Sequence, residues 1–399
     1  MIPVFEKAIP VLDHIEKAGY EAYFVGGCVR DNILGREISD IDIATSATPN
    51  EIKKLFSKTV DVGIQHGTVV VLWEKEAYEL TTFRSDGEYV DFRRPSEVTF
   101  IRNLHDDLQR RDFTMNSIAM DKKGNLIDPF KGFHAIKNKT IETVGDASER
   151  FHEDALRMMR AVRFVSQLQF SLEQNTYQAL IKYGPLLEKV AIERKTVEFE
   201  KLLRGKGKRH AIQILVDTGL FKYLPGLLHD QRALCNLTLL EIDSLTEDEI
   251  WTLLLYLMEI PINSCDGFLR QWKLPVKKMK QISSVLQLLH NRFYHNWTIE
   301  RLYHSGLEEA IHTEKVFNVI QHQPVLKEIS TIEKLYSDLI IKDRQELAVT
   351  GNDLMKWNNE DGGPWIKEQL QFIEEAVLSG RVDNDKDKIR EWLVECNQM

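Results

Sequence analysis

The chain has 399 residues, 43% hydrophobic and 28% charged, with a formal net charge of −9. At about 100–200 residues per domain this supports two to four units with sizeable cores. The longest apolar run, around Leu253–Met258, is far short of the ~20 residues of a membrane span. Four scattered cysteines (Cys28, Cys235, Cys265, Cys396) form no CxxC pair. They exclude a disulfide scaffold and a zinc knuckle and fit a reducing cytosol.

The opening residues, MIPVFEKAIPVLDHIEKAGY, carry acids and no basic region before an apolar core, which argues against a secretory signal and for a cytoplasmic protein. An amphipathic helix is expected over about Val4–Ala18, then a short strand Ala22–Val25 and a turn at Gly26-Gly27. Ile41–Thr45 reads as a second strand and Pro49–Phe56 as a helix with Pro at its start. Thr68–Trp73 and Ala77–Phe83 read as adjacent antiparallel strands. Ser85–Pro95 is polar, contains Gly and ends in Pro, as a loop does. Ser117–Met120 and Leu126–Asp128 flank the turn Lys123-Gly124-Asn125 as a hairpin. After about Asp146 strand signals vanish, and helical periods punctuated by Gly and Pro run to Met399.

The charge is unevenly distributed. Arg194–Arg209 holds seven bases against two acids, and Arg270–Lys280 holds five bases and no acid. A polyanion responds to the local field within ~10 Å rather than to the total, so both stretches are candidate phosphate tracks, the alternative being solvated helix faces. His229-Asp230 lacks the further ligands of a metal hydrolase. Trp251, Trp272 and Trp297 lie among apolar neighbours and read as core.

Three constellations carry chemistry. In the first, Gly26-Gly27-x-Val29-Arg30-Asp31 precedes Asp40-Ile41-Asp42. Two glycines after a strand let backbone approach a phosphate. Asp40 and Asp42, two apart on a strand, would converge on one face and attract a hard cation such as Mg²⁺. The second is Arg110-Arg111-Asp112-Phe113-Thr114-x-Asn116, whose guanidiniums and small polar groups suit a triphosphate and ribose. The third is Glu153-Asp154-x-x-Arg157-x-x-Arg160-x-x-Arg163. On one helix these would fan along a wall, with Asp154 and Arg157 as neighbours and Ala155, Met158, Met159, Val162 and Val165 on the buried face. Each constellation also has a plain structural reading: a turn, a capped helix start, a solvated ion-paired helix.

Taken together, GGCVRD, DID, RRDFTMN and EDALR resemble, in this order, the motifs of the class II tRNA nucleotidyltransferase / poly(A) polymerase family. VTGNDLM (Val349–Met355) is similar to that family's tail-proximal segment. The resemblance implies an α+β fold: a nucleotidyltransferase head (1–146), then all-α neck (147–200), body (201–300) and tail (301–399), with the neck reading bases and the tail binding tRNA. It implies template-independent addition of C, C and A to a tRNA 3′ end from CTP and ATP, with release of pyrophosphate. Asp40 and Asp42 are the implied catalytic residues and ligands of two Mg²⁺ ions, with Glu79 a candidate third carboxylate. Gly27, Arg30 and Arg111 are implied contacts for phosphates or sugar. Asp154 and Arg157 would read the base edge, and Arg160 and Arg163 would lie near base or phosphates. An A-only adding enzyme, a poly(A) polymerase and an inactive RNA-binding module are the alternatives, and the full-length Ser85–Pro95 loop favours complete CCA addition. The implied partners are tRNA, ATP and CTP, without a membrane, and apolar faces in the tail leave room for a homodimer.

Overall fold

The computed structural model describes residues 3–86, 89–90, 94–95, 98–396 and 398. The chain divides into two compact units: residues 1–235 with 271–273, and residues 236–270 with 274–399.

The first unit begins with helix α1 (Pro3–Lys17). Its buried residues Phe5, Ala8, Val11, Leu12 and Ile15 recur at the three-to-four spacing of one helix face. Strands β1 (Ala22–Val25), β2 (Asp42–Thr45), β3 (Thr59–Gly63), β4 (Thr68–Trp73) and β5 (Glu76–Thr82) follow, interspersed with helices α2 (Gly27–Ile33) and α3 (Pro49–Leu55). Next come β6 (Arg84–Asp86), β7 (Tyr89–Val90), β8 (Arg94–Pro95), β9 (Val98–Phe100), α4 (Leu104–Gln109), β10 (Ala119–Met120), β11 (Leu126–Ile127), α5 (Gly132–Lys137) and β12 (Thr140–Ile141). Seven strands form one sheet in the order β11-β10-β1-β2-β5-β4-β3. Within it only β2 and β5 run parallel, and their register sets Asp42 opposite Glu79.

Two expectations need correction. Described parts of the polar Ser85–Pro95 segment pair as short strands, β6 with β9 and β7 with β8. Its remaining residues, Gly87, Glu88, Asp91, Phe92 and Arg93, lie outside the described residues. Strand pairing also continues past Asp146, because β13 (Ser171–Leu172) runs parallel to β12. Two residues are too few to give a strand period.

The helical part of the first unit comprises α6 (Ala147–Glu153), α7 (Leu156–Leu168), α8 (Gln174–Tyr183), α9 (Ile192–Arg204), α10 (Lys208–Thr218) and α11 (Gln231–Leu239). Helix α7 packs on α9 and α10, burying Met158, Met159, Val162 and Val165 completely. Trp272 is fully buried, with its ring 4.7 Å from Phe199.

The second unit is helical. Helices α12 (Glu247–Leu257), α13 (Ile262–Gln271), α14 (Val276–Arg292), α15 (Ile299–Ser305), α16 (Leu307–Ile320) and α17 (Ile329–Ser337) precede α18 (Gly351–Asn358), α19 (Pro364–Leu378) and α20 (Lys386–Glu395). Trp251 is fully buried and Trp297 half-buried, as core tryptophans are. No described helix is long and apolar enough to cross a membrane.

Candidate active site

A cleft of about 620 Å³ opens in the first unit. Eight arginines and four carboxylates line it, a cationic excess that suits a polyanion.

The sheet builds one part of this lining. Asp42 opens β2, and Glu79 faces it from β5. Burial and the Glu79 charge push the Asp42 carboxyl up to about 6, Arg111 opposing and Asp40 adding to the rise. Two carboxylates side by side repel unless a cation offsets them. Asp40 itself is exposed, precedes the strand and accepts a hydrogen bond from the Ser39 hydroxyl at 2.9 Å. The two-residue strand period therefore does not place Asp40, although its charge reaches Asp42.

Gly26 is held at φ +72, and a Cβ there would stand 3.0 Å from Arg111 Nη1. The positive φ is what requires glycine at this position, and it leaves the Arg111 guanidinium close against the turn. At Gly27, the first residue of α2, a Cβ would meet only Arg30 Nη2 at 3.7 Å, an ordinary contact. Arg30 is buried and donates to Asn116 Oδ1 at 2.7 Å and to both Asp31 oxygens at 3.1 and 2.8 Å. Arg110 and Arg111 share the buried Asp107 at 2.7 and 3.1 Å.

Opposing this is a helical wall, which departs from the single helix expected across Glu153–Arg163. Helix α6 ends at Glu153, and Asp154 is extended (φ −140, ψ 102) before α7 begins. The cause is local: the short Asp154 side chain accepts from the Leu156 amide at 3.1 Å, competing with helical bonding. Asp154 consequently pairs with Arg194 of α9, at 2.7 and 3.2 Å, instead of with Arg157. Arg157 is buried; it binds Glu153 and donates to the carbonyls of Arg150 and Arg110 at 3.2 and 2.9 Å. Arg160 grips the buried Asp112 through Nε at 2.7 Å and Nη2 at 2.6 Å. Arg163 lies over the Phe164 ring, 4.1 Å from its centroid. Burial and the neighbouring Arg160 push the Arg163 guanidinium down to about 10, so it stays charged at neutral pH.

The poly(A) polymerase head domain family matches residues 22–142. The putative second domain of tRNA nucleotidyltransferases matches 243–393, and the probable RNA- and SrmB-binding site of polymerase A matches 169–230. The CCA-adding enzyme of Geobacillus sp. (strain WCH70) is 50% identical, over 98% of this chain and 97% of its own. The chain belongs to the CCA-adding enzyme family. The CCA-adding enzyme of Geobacillus kaustophilus is 48% identical over 100% of this chain and 98% of its own. The crystal structure of the Bacillus stearothermophilus CCA-adding enzyme with CTP superposes with a TM-score of 0.91 at 44% identity, covering 100% of this chain and 98% of that one. The Thermotoga maritima CCA-adding enzyme complexed with tRNA shares the fold, at a TM-score of 0.66 and 20% identity over 99% and 96% of the chains.

For this CCA-adding family member, the cleft gathers Gly27, Arg30, Asp42, Glu79, Arg111, Asp154, Arg157, Arg160 and Arg163, and leaves Asp40 outside its lining. Sequence reasoning missed Arg194 and Glu198 as partners of the wall. Both lie in the basic stretch, which is less of a phosphate track than its composition implies. Arg194 is committed to Asp154, and Lys195 and Lys208 are buried, while Arg204 and Lys206 are exposed. In Arg270–Lys280, Lys278 pairs with Glu247 and Asp248, leaving Arg270, Lys273, Lys277 and Lys280 exposed.

Proposed function

We propose that this chain adds C, C and A to tRNA 3′ ends from CTP and ATP, without a nucleic-acid template, in the cytoplasm. The relatives at about half identity over full length support this reading. The single observation that carries it is a cleft with a carboxylate pair on its sheet and, across from it, the Asp154 carboxylate paired with a guanidinium at the start of the helical wall.

Divalent metal use is a property the family implies, and the donors fit it. Asp42 and Glu79 offer hard oxygens, and the burial and like charge that raise the Asp42 carboxyl are both penalties on its charged form that a bound cation would offset. Mg²⁺ retains several waters and takes ligands from substrate phosphates, so a few carboxylates are a sufficient share for the protein to supply. Asp42 and Asp40, with Glu79 assisting, would hold two Mg²⁺ ions. Bound there, they would favour loss of the 3′-hydroxyl proton and offset the charge of the leaving pyrophosphate.

The chain's own groups do the rest. Gly27, Arg30 and Arg111 receive the triphosphate and sugar, and Asp107 and Asn116 hold those arginines in place. Cytosine and adenine each present an amino donor beside a ring-nitrogen acceptor. Asp154 accepts from the amine and Arg157 donates to the ring nitrogen. Uracil and guanine put a carbonyl where the amine should be, against an acceptor that Arg194 holds in orientation. Buried mismatches of this kind discriminate by up to ~10⁴. Arg160 and Arg163 flank the base and phosphates. The four-part division into head, neck, body and tail assigns tRNA binding to the helical segments past the cleft.

The test is to supply tRNA ending before CCA with each NTP separately, then with CTP and ATP together, and sequence the products. CCA completed only with both nucleotides is expected. Addition of A alone, runs of A, or no addition would replace the reading by an A-adding enzyme, a poly(A) polymerase or an RNA-binding module respectively.

A further inference from the structure

Glu198 lies on α9, outside the three motif segments, and is 5% exposed. It stands behind two arginines of the cleft, with Oε2 3.1 Å from Arg163 Nε and Oε1 4.0 Å from Arg160 Nη1. Arg160 has a second carboxylate, Asp112. Among the described residues Glu198 is the carboxylate in direct contact with Arg163, Asp112 acting on it from farther off. Three guanidiniums crowd the Phe164 ring, with Arg163, Arg30 and Arg160 at 4.1, 5.3 and 5.7 Å from its centroid. Their mutual repulsion would drive the least anchored one away. The Glu198–Arg163 contact is charge against charge without an aligned hydrogen bond, since Arg163 Nε and Glu198 Oε2 are both buried and unpartnered. Glu198 therefore fixes Arg163 in place without consuming its donors.

We propose that Glu198 is a positioning residue for nucleotide selection, holding Arg163, and through it Arg160, back from the base edge. This rests on the reading of the cleft as the nucleotide site. The chemistry follows from what a released guanidinium can do. Uracil O4 and guanine O6 are acceptors, unwelcome to Asp154. A guanidinium freed from Glu198 can donate to them and cancel that penalty. Glu198 thus keeps the choice of base with Asp154 and Arg157.

The experiment measures kcat/KM for all four NTPs on tRNA ending before CCA and on tRNA ending in CC, with the full chain and Glu198→Gln, alongside thermal unfolding. The preference for CTP over UTP, and for ATP over GTP, is expected to fall about tenfold, the worth of one hydrogen bond gained by the wrong base. Glu198→Asp keeps the charge and should lie between wild type and Glu198→Gln. A merely structural Glu198 would scale all four nucleotides together, and ratios within twofold of wild type overturn the proposal whatever happens to absolute rates. Should Glu198→Gln not fold, the Glu198→Asp ratios decide: a fall of about threefold supports the proposal and unchanged ratios overturn it. Failure of the underlying reading shows separately, as an Arg163→Ala variant with unchanged KM for CTP and ATP, and would remove this inference with it.

Discussion

Asp42 is treated differently from the carboxylates that either unit buries: in the first unit Asp107 and Asp112 are gripped by Arg110, Arg111 and Arg160. In the second unit each has donors from its own chain. Glu314, fully buried, accepts from Arg292 at 2.7 and 3.1 Å and from the Trp297 indole at 2.9 Å. Glu249 accepts from His312 at 2.7 Å and from the Thr246 amide at 2.6 Å, and Glu374 is held by Arg344 and Tyr303. Burial alone would raise Glu249 and Glu374, yet those partners pull both below the usual carboxylate range. In the first unit Asp42 is also pushed up by burial, but Glu79 and Asp40 push it further, and only Arg111 opposes. A carboxylate that the fold stabilises serves the fold; one left with like charges awaits a ligand.

That contrast breaks most sharply at Asp42 and Glu314. Asp42→Ala should lower incorporation of both C and A by at least about 10³-fold, since both steps share one reacting centre, with the melting temperature unchanged or raised. Single-turnover incorporation with each nucleotide, beside thermal unfolding, checks this, and normal addition of either nucleotide would defeat the assignment. Glu314→Ala should do the reverse. Stranding Arg292 and the Trp297 indole should cost about 3–5 kcal/mol of stability, read by denaturant unfolding, while nucleotide preference per folded molecule stays as in wild type.

The contrast sharpens at Asp154, whose partner Arg194 is also a stabiliser. Asp154→Ala should raise UTP relative to CTP incorporation by roughly tenfold to a hundredfold, the worth of ~1–3 kcal/mol for one unmatched buried acceptor. Arg194→Ala should move the ratio the same way by less, because the carboxylate remains but loses its orientation. A misincorporation assay with four NTPs on both variants measures it. An unchanged profile for Asp154→Ala would end the base-reading proposal.

The legibility of these features in the sequence follows from range. Helix α1, strands β1, β2, β4 and β5 and the Lys123-Gly124-Asn125 hairpin follow from period and turn chemistry within a few residues. The buried face of α7 was legible for the same reason. The break at Asp154 was not, because EDALR reads as continuous helix unless the side chain's bond to the Leu156 amide is known. Strand β3 went unread because Val60, Asp61 and Val62 are all exposed, which leaves no buried face to set a period. Glu79 could be named but not placed, since its position depends on a parallel register between strands 37 residues apart (Asp42 to Glu79). Arg194 and Glu198 lay inside a stretch whose composition spoke louder than any single pair. Long-range ion pairs leave no periodic trace in a sequence.

The smallest expected effect tests the self-sufficient side of the comparison. His312 is mostly enclosed, with its side chain 17% exposed, and it faces Glu249 at 2.7 Å, Glu308 at 3.7 Å and Lys315 on its own helix. The Glu249 hydrogen bond raises the His312 pKa above its ordinary 6.5, against burial and Lys315. A raised histidine stabilises the fold fully below its unfolded value and ceases to do so as pH climbs through the folded one. Glu249 is lowered below its ordinary 4.5, so its contribution is present above that value and is lost as pH falls through the folded one. The pair therefore contributes most between about pH 4.5 and 6.5 and declines on both flanks. The alkaline decline should amount to a few °C in Tm, about what 1 kcal/mol does in a domain of this size. In His312→Gln the alkaline decline should flatten, and the variant should lose stability chiefly within that window, where wild type carries the charged pair. A Tm profile of His312→Gln parallel to wild type from pH 6 to 9 would mean that the imidazole takes up its proton as it does in the unfolded chain, and that Lys315 and Thr246 suffice to hold Glu249.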